Sequence, residues 1–285
     1  MTLFFTYRIA VSTFRYRRRR DDETLREQLI AAAREKTRFG YRRLRIVLRA
    51  RGIEVNHKRL WRVYREAGLC VKRRRRKRLI RTGLPASTAK AANQEWALDF
   101  AADVLATGRK IRVLSVIDVF TRECLTLEVD TSFASRRVTR VLDRIVAERG
   151  SPESLRCDNG PELTSRHFLS WCIDRRINLL HIQPGRPMQN GHVESFTGKL
   201  RDECLNVSWF RNLFEAKRQV RAWQIEYNRE RPHSSLGYLT PEQFAGRAAS
   251  PSASWITAAG TAVKAALTAR FASALTAVPL RGSSA

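Results

Sequence analysis

Cys157-Asp158-Asn159-Gly160-Pro161-Glu162 opens the stretch that decides how this chain reads, and Gln183-Pro184-Gly185-Arg186-Pro187-Met188-Gln189-Asn190-Gly191-His192-Val193-Glu194-Ser195-Phe196 closes it. Thirty-five residues separate Asp158 from Glu194. Leu155-Arg156-Cys157 is short and apolar enough to be a buried strand, and Asn159-Gly160-Pro161 forces a turn at its exit, where Asp158 stands. Asn190 is a good helix cap, which puts Glu194 in the first turns of a helix. Arg201 follows seven residues later, within about 20° of two full turns, so an acid and a cation share one helix face. Upstream, the strand-like run Glu95-Trp96-Ala97-Leu98-Asp99-Phe100 ends with a third acid, Asp99.

Taken singly, each of these features is ordinary. An Asp-Asn-Gly is usually a turn, and a Glu on a helix is usually solvated. Together they describe a site. Two divalent ions about 4 Å apart can activate an attacking oxygen and stabilise a leaving oxygen at phosphorus. Magnesium takes oxygen ligands, commonly one or two carboxylates with water and substrate phosphate. Such a centre needs acids from distant parts of the chain on one rigid surface.

The neighbouring sequence supplies that surface. Ile111 to Asp118 and Cys124 to Val129 read as strands, with a turn at Thr107-Gly108-Arg109-Lys110. Ser135 to Arg149 reads as a helix with Val138, Val141, Leu142 and Ile145 on one stripe and Gly150 as its stop. A helix near Ser165 to Arg175 is expected to turn Phe168, Leu169 and Cys172 inward. Asn178 to Ile182 is a fifth strand. A last helix, about Leu213 to Asn228, carries Val220, Tyr227 and Trp223, the last read as core. The order β-β-β-α-β-α-β-α predicts an α/β fold with a mixed sheet flanked by helices.

At these residues the chain resembles the catalytic core shared by retroviral integrases and bacterial insertion-sequence transposases. It is most similar to those whose catalytic subunit is encoded by a second open reading frame. The matching segments are Trp96 to Phe100, Cys157 to Glu162, Gln183 to Gly191, Val193 to Phe196, and Tyr227-Asn228 with Arg231 to Tyr238. The resemblance implies a ribonuclease H-like five-stranded sheet and a metal-dependent transposase. Asp99, Asp158 and Glu194 would be its catalytic acids and would hold two Mg2+ ions, for which Mn2+ may substitute. It implies Arg201, with Lys199, Gln189 and Asn190, near DNA. Thr197 departs from the family, which more often has Asn there. The paired His and Cys of the zinc-binding amino-terminal domain of retroviral integrases are not recognisable.

The chain has 285 residues, 43% hydrophobic, with 54 Lys and Arg against 27 Asp and Glu, a net charge of +27. That excess points to a polyanion, most simply double-stranded DNA, although ribosome-associated and membrane-surface proteins can share it. Five scattered cysteines without a Cys-x-x-Cys indicate neither a disulfide framework nor a zinc ribbon, so a reducing cytoplasm is the default. No membrane association and no glycine-rich nucleotide loop are expected.

Five segments follow from composition. Residues 1–22 form a basic leader without a secretory pattern. Residues 23–71 carry three helical stripes: Leu25, Leu29, Ala32 and Ala33; then Leu44, Val47 and Leu48; then Leu60, Val63 and Tyr64 behind an Asn56 cap. They suggest a small all-α helix-turn-helix domain whose third helix, bearing Lys58, Arg59 and Arg62, meets DNA. Residues 72–93 are a basic linker that begins with an unbroken Lys/Arg run, residues 94–246 the catalytic segment, and residues 247–285 an Ala/Ser-rich tail. Arg231-Pro232-His233 reads as exposed, and with His167, His181 and His192 it is structural or a DNA contact rather than a base. The resulting expectation is strand cleavage followed by 3′-hydroxyl strand transfer, carried out by a homo-oligomer on DNA and possibly involving an upstream-frame product. The rivals are a nuclease of the same fold and a non-catalytic DNA-binding repressor.

Overall fold

A computed structural model describes residues 22–71, 89–182 and 191–249. The expected leader before residue 22, most of the basic linker, the loop 183–190 with Gln189 and Asn190, and the tail from residue 250 lie outside the described residues. The chain divides into two compact units, Met1–Leu79 and Ile80–Ala285.

In the first unit, α1 (Glu23–Glu35), α2 (Tyr41–Ala50) and α3 (His57–Glu66) bury Leu29, Ala32, Leu44, Leu48, Leu60, Val63 and Tyr64 in one cluster. Each helix contributes the stripe that its 3.6-residue period provides. The Asn56 side chain accepts from the Lys58 N–H at 2.9 Å, which caps α3 as its sequence predicts. Gly52 and Gly68 follow α2 and α3 with φ of +81° and +67°, a left-handed conformation that favours glycine.

In the second unit, β1 (Glu95–Val104), β2 (Lys110–Asp118), β3 (Cys124–Asp130), β4 (Ser154–Cys157) and β5 (Asn178–His181) form one sheet in the order β3-β2-β1-β4-β5. β1 pairs antiparallel with β2, and β2 with β3; β4 runs parallel to both β1 and β5. This is the mixed five-stranded sheet expected, in the ribonuclease H-like arrangement. One expectation is corrected. Asp99 does not end its strand, which continues to Val104. Ala101, Ala102 and Asp103 are poor strand formers locally, but they pair across to Val113, Arg112 and Ile111, and that cross-strand pairing overrides propensity.

Helices cover both faces. Leu98, Leu114 and Val116 pack against α4 (Ser135–Arg149) and α5 (Arg166–Asp174). Within α5, Trp171 joins Phe168 and Cys172 in the core while Leu169 is exposed, contrary to the expected stripe. Trp171 also donates its indole N–H to Asp143 at 2.9 Å, a polar partner that lets the larger ring take the inward position. On the opposite face, Ala97, Ala101 and Ile117 pack against α6 (Gly191–Glu203) and α7 (Leu213–Arg229), and Phe196, Trp223 and Tyr227 meet as a ring cluster. A final α8 spans Pro241–Ala249.

Candidate active site

Side chains alternate across a strand. On β1, Trp96 and Leu98 enter one core, while Ala97 and Ala101 enter the other, under α6. Asp99 falls between those two alanines, so its carboxylate points to the α6 face. Their small size leaves room for the helix to approach the strand. β1 and β4 run in parallel with Ala97 opposite Arg156, and continuing that register two residues brings Asp158 level with Asp99. Adjacent strands lie about 4.8 Å apart. Sheet register therefore brings together two acids that are far apart in sequence.

Each acid is held by specific donors. Thr197, buried on α6 three residues beyond Glu194, donates its hydroxyl to Asp99 Oδ2 at 2.6 Å. The Phe100 N–H donates to Asp99 Oδ1 at 2.9 Å. The Gly160 N–H donates to Asp158 Oδ1 at 3.1 Å, and a β-carbon on Gly160 would lie 3.2 Å from that same oxygen. Asn159 donates to the carbonyl of Ile182 at 2.9 Å, tying the Asp158 turn to the end of β5. Glu162, buried at the end of the turn, pairs with Arg112 on β2, whose guanidinium lies 4.1 Å over the ring of Phe100. The turn carrying Asp158 is thus fastened to the end of β5 on one side and to β2 on the other.

The charges respond to one another. Desolvation raises the pKa of Asp99, and repulsion from Asp158 adds to it; Thr197, the Phe100 N–H and the charge of Arg201 act in the opposite sense. Desolvation also raises Glu194, with repulsion from Asp99 adding to it. The sequence-predicted Asp158, Glu194 and Arg201 are therefore each within electrostatic reach of Asp99. Among the described residues, no three His, Cys, Asp or Glu side chains converge tightly enough to grip a cation as they stand. Asp99 is turned onto Thr197. The donors on offer, carboxylate oxygens of which those of Asp99 and Glu194 have raised proton affinity, are of the hard kind a divalent cation takes.

Other expected participants are placed as follows. Lys199 Nζ donates to Ser195 Oγ at 3.3 Å on the exposed side of α6. On α3, Lys58 is exposed, whereas Arg59 and Arg62 bind Asp22 at 2.7 and 2.6 Å. His167 Nε2 lies 3.0 Å from Thr139 Oγ1, and His181 Nδ1 lies 3.3 Å from the Asp158 carbonyl. Burial lowers the pKa of His192 to about 4, with nearby Arg122 adding to the effect, so the ring is neutral at physiological pH. Burial pushes the Cys157 and Cys204 thiols up to about 12 and Cys172 to about 11, which makes them inert.

The Arg231-Pro232-His233 expectation is corrected. Arg231 is 2% exposed and His233 5%. Arg231 makes a two-point ion pair with Glu203, its Nε lying 2.7 Å from one oxygen, and packs over Tyr227. His233 meets the edge of the same tyrosine ring. Polar letters read as surface because the partner, Glu203, lies 28 residues away. The roles of Thr197, Gly160 and Glu162 were not anticipated either. For Thr197 a signal existed: it stands three residues beyond Glu194, on a neighbouring part of the same helix face.

The sequence profile described as "Integrase core domain" matches residues 89–187, and a second of the same description matches 175–241. An "HTH-like domain" profile matches residues 19–77. Sheet order and profiles define an integrase-core protein preceded by a helix-turn-helix-like domain. A protein of insertion element IS407 from Burkholderia multivorans is 43% identical over 80% of this chain and 82% of its own length. The putative transposase InsK of insertion sequence element IS150 from Escherichia coli is 28% identical over 73% of this chain and 77% of its own. Among solved structures, the HTLV-2 integrase catalytic core domain in complex with magnesium aligns over 55% of this chain and 98% of that one, at 17% identity and a TM-score of 0.41. The chain belongs to the insertion-element transposase family with an integrase core, of the kind encoded by a second open reading frame.

Proposed function

We propose that this chain cuts and joins DNA strands at the ends of an insertion sequence, with Asp99, Asp158 and Glu194 as its catalytic acids. One observation carries the reading: Asp158 at a strand exit, Glu194 on a helix and the cation of Arg201 each lie within electrostatic reach of Asp99 on its strand. These acids would hold two Mg2+ ions, with Mn2+ able to replace them. Bound there, such ions would stabilise the charge that builds on oxygen during in-line displacement at phosphorus.

The protein's own part is placement. Thr197 and the Phe100 N–H fix the Asp99 carboxylate, and the Gly160 N–H fixes Asp158. Arg201, with Lys199, faces the phosphate backbone. In the first reaction a water oxygen attacks phosphorus and the strand leaves with a free 3′ hydroxyl. In the second, that hydroxyl attacks a target phosphodiester, and a new 3′ hydroxyl leaves in its place. One phosphodiester bond forms as another breaks, so joining needs no nucleotide hydrolysis. Two element ends must meet, which favours a homo-oligomer on DNA in the cytoplasm, possibly assisted by an upstream-frame product. Among the described residues, no helix is long and apolar enough to cross a membrane.

The test is a joining assay with Mg2+, the full chain and a labelled duplex that carries the element's terminal repeat. Products longer than the substrate support the proposal. Shortened strands alone would favour the nuclease, and retention of DNA with neither product the repressor.

Thr197→Val should raise the Mg2+ concentration needed for half-maximal joining by about tenfold, because a buried carboxylate loses a donor worth about 1.5–3 kcal/mol. Thr197→Ser should restore it, and a metal titration of joining measures both.

Cation removal carries a signed expectation. The folded-state pKa values of Asp99 and Glu194 lie above their ordinary 3.8 and 4.5. The folded chain therefore holds protons that the unfolded chain has released, and without cation, stability falls as pH rises through that window. At neutral pH in EDTA, Glu194→Gln should melt above the wild type. Mg2+ at a hundred times its dissociation constant should stabilise the wild type by about 2.7 kcal/mol. It should stabilise the variant by clearly less, as read by thermal melts.

A further inference from the structure

Helix α3 carries four cations, Lys58, Arg59, Arg62 and Arg65, and the structure ties two of them to a buried anion. Arg59 and Arg62 converge on Asp22, at the start of α1, with Nε and Nη2 contacts of 2.7 and 2.6 Å. Asp22 is mostly buried, with 16% side-chain exposure. This pair of contacts closes the first helix onto the third, and both cations have their anion already. At spacings of three and four residues, Lys58, Trp61 and Arg65 form one exposed strip, which Arg62 borders.

Trp61 is unusual there. It is 40% exposed on a strongly basic helix, yet it is not loose. Tyr64 stacks against it with centroids 5.9 Å apart, and Tyr41 of α2 lies 4.9 Å away. The Arg65 guanidinium sits 6.0 Å from its ring centroid. The indole is thus a rigid apolar surface held upright by two tyrosines, and it aims a guanidinium alongside itself. In a major groove, an apolar side chain recognises the thymine methyl group, and a guanidinium recognises guanine or phosphate.

We propose that α3 reads DNA through Lys58, Trp61 and Arg65, with Trp61 as the sequence-discriminating residue, and that Arg59 and Arg62 serve as a clamp to Asp22 rather than as DNA contacts. This rests on the reading of the first unit as the DNA-binding part of a transposase. It reassigns two of the three α3 residues that sequence alone put on the DNA.

The probe is a library of double-stranded DNA with twenty randomised base pairs, bound to the full chain and sequenced after selection. Wild type should enrich a motif. Trp61→Ala, with a melting temperature near wild type, should lose preference at one or two positions by about tenfold or more. Its salt dependence should be unchanged, since it removes no charge. Trp61→Phe, which keeps an aromatic surface, should retain part of the preference. Arg65→Gln should make the slope of log affinity against log salt shallower by about 0.9. Arg59→Gln and Arg62→Gln should leave the motif and that slope intact while lowering the melting temperature. An unaltered motif in Trp61→Ala, or a shallower slope in Arg59→Gln and Arg62→Gln at unchanged melting temperature, would overturn the assignment. Wild type that binds no duplex would overturn the DNA-binding reading of the unit, and this inference with it.

Discussion

Asp158→Asn is expected to reduce strand cleavage and joining by about 10³-fold or more, while DNA affinity and the melting temperature stay close to wild type. The substitution keeps the shape of the side chain, and the Gly160 N–H still finds an oxygen there. What it removes is one negative charge beside Asp99. A fold held by two apolar cores does not depend on that charge, whereas a centre built to hold cations against a phosphate does. Asp99→Asn and Glu194→Gln should behave alike in chemistry, and double substitutions should cost little beyond the single ones, because the acids act as a unit. Gel assays of both steps, with melts alongside, read the whole pattern. A loss of joining accompanied by an equal loss of folding would instead mark Asp158 as a structural residue.

The second large effect concerns stability. Arg231→Met is expected to cost about 3–5 kcal/mol, because it leaves the largely buried Glu203 without its guanidinium partner. For a unit of this size that corresponds to a fall of roughly 10 °C in melting temperature. The double variant Arg231→Met with Glu203→Leu should recover most of the loss, since apolar replacement of both partners removes the stranded charge. Calorimetric melts of the single and double variants check this. The expectation follows from the place of the pair: Arg231 packs over Tyr227, and Tyr227 packs on Phe196 of α6, the helix that carries Glu194 and Thr197. A chain with this pair broken should also join DNA less well, through displacement of α6 and not through lost chemistry.

Local patterns in the sequence were enough to find α1 to α7, the five strands and the Asn56 cap, because a stripe such as Val138, Val141, Leu142 and Ile145, or a cap such as Asn56, carries its meaning within a few residues. The three acids that we propose as catalytic were picked out by recognisable motifs, and Asp158 also by its place at a strand exit. Contacts across long stretches of chain were not legible. β1 runs past Asp99 because β2 pairs with it. Arg231 is buried because Glu203 meets it, and Arg59 and Arg62 are engaged because Asp22 lies beside them. Leu169 and Trp171 exchange places because Asp143 accepts the indole N–H. Apart from the β1–β2 hairpin, the deciding partner lies 28 or more residues away in sequence, and no periodicity announces it. Thr197 is intermediate. Its position on the Glu194 helix was readable, but its 2.6 Å bond to Asp99 depends on how α6 lies over β1.

The most direct measurement is anomalous scattering at the manganese edge from crystals of the full chain bound to a DNA end and equilibrated with Mn2+. The account predicts anomalous peaks enclosed by the carboxylates of Asp99, Asp158 and Glu194, with Arg201 beside the DNA backbone. Manganese bound elsewhere, with those three carboxylates left facing water or one another, would contradict it.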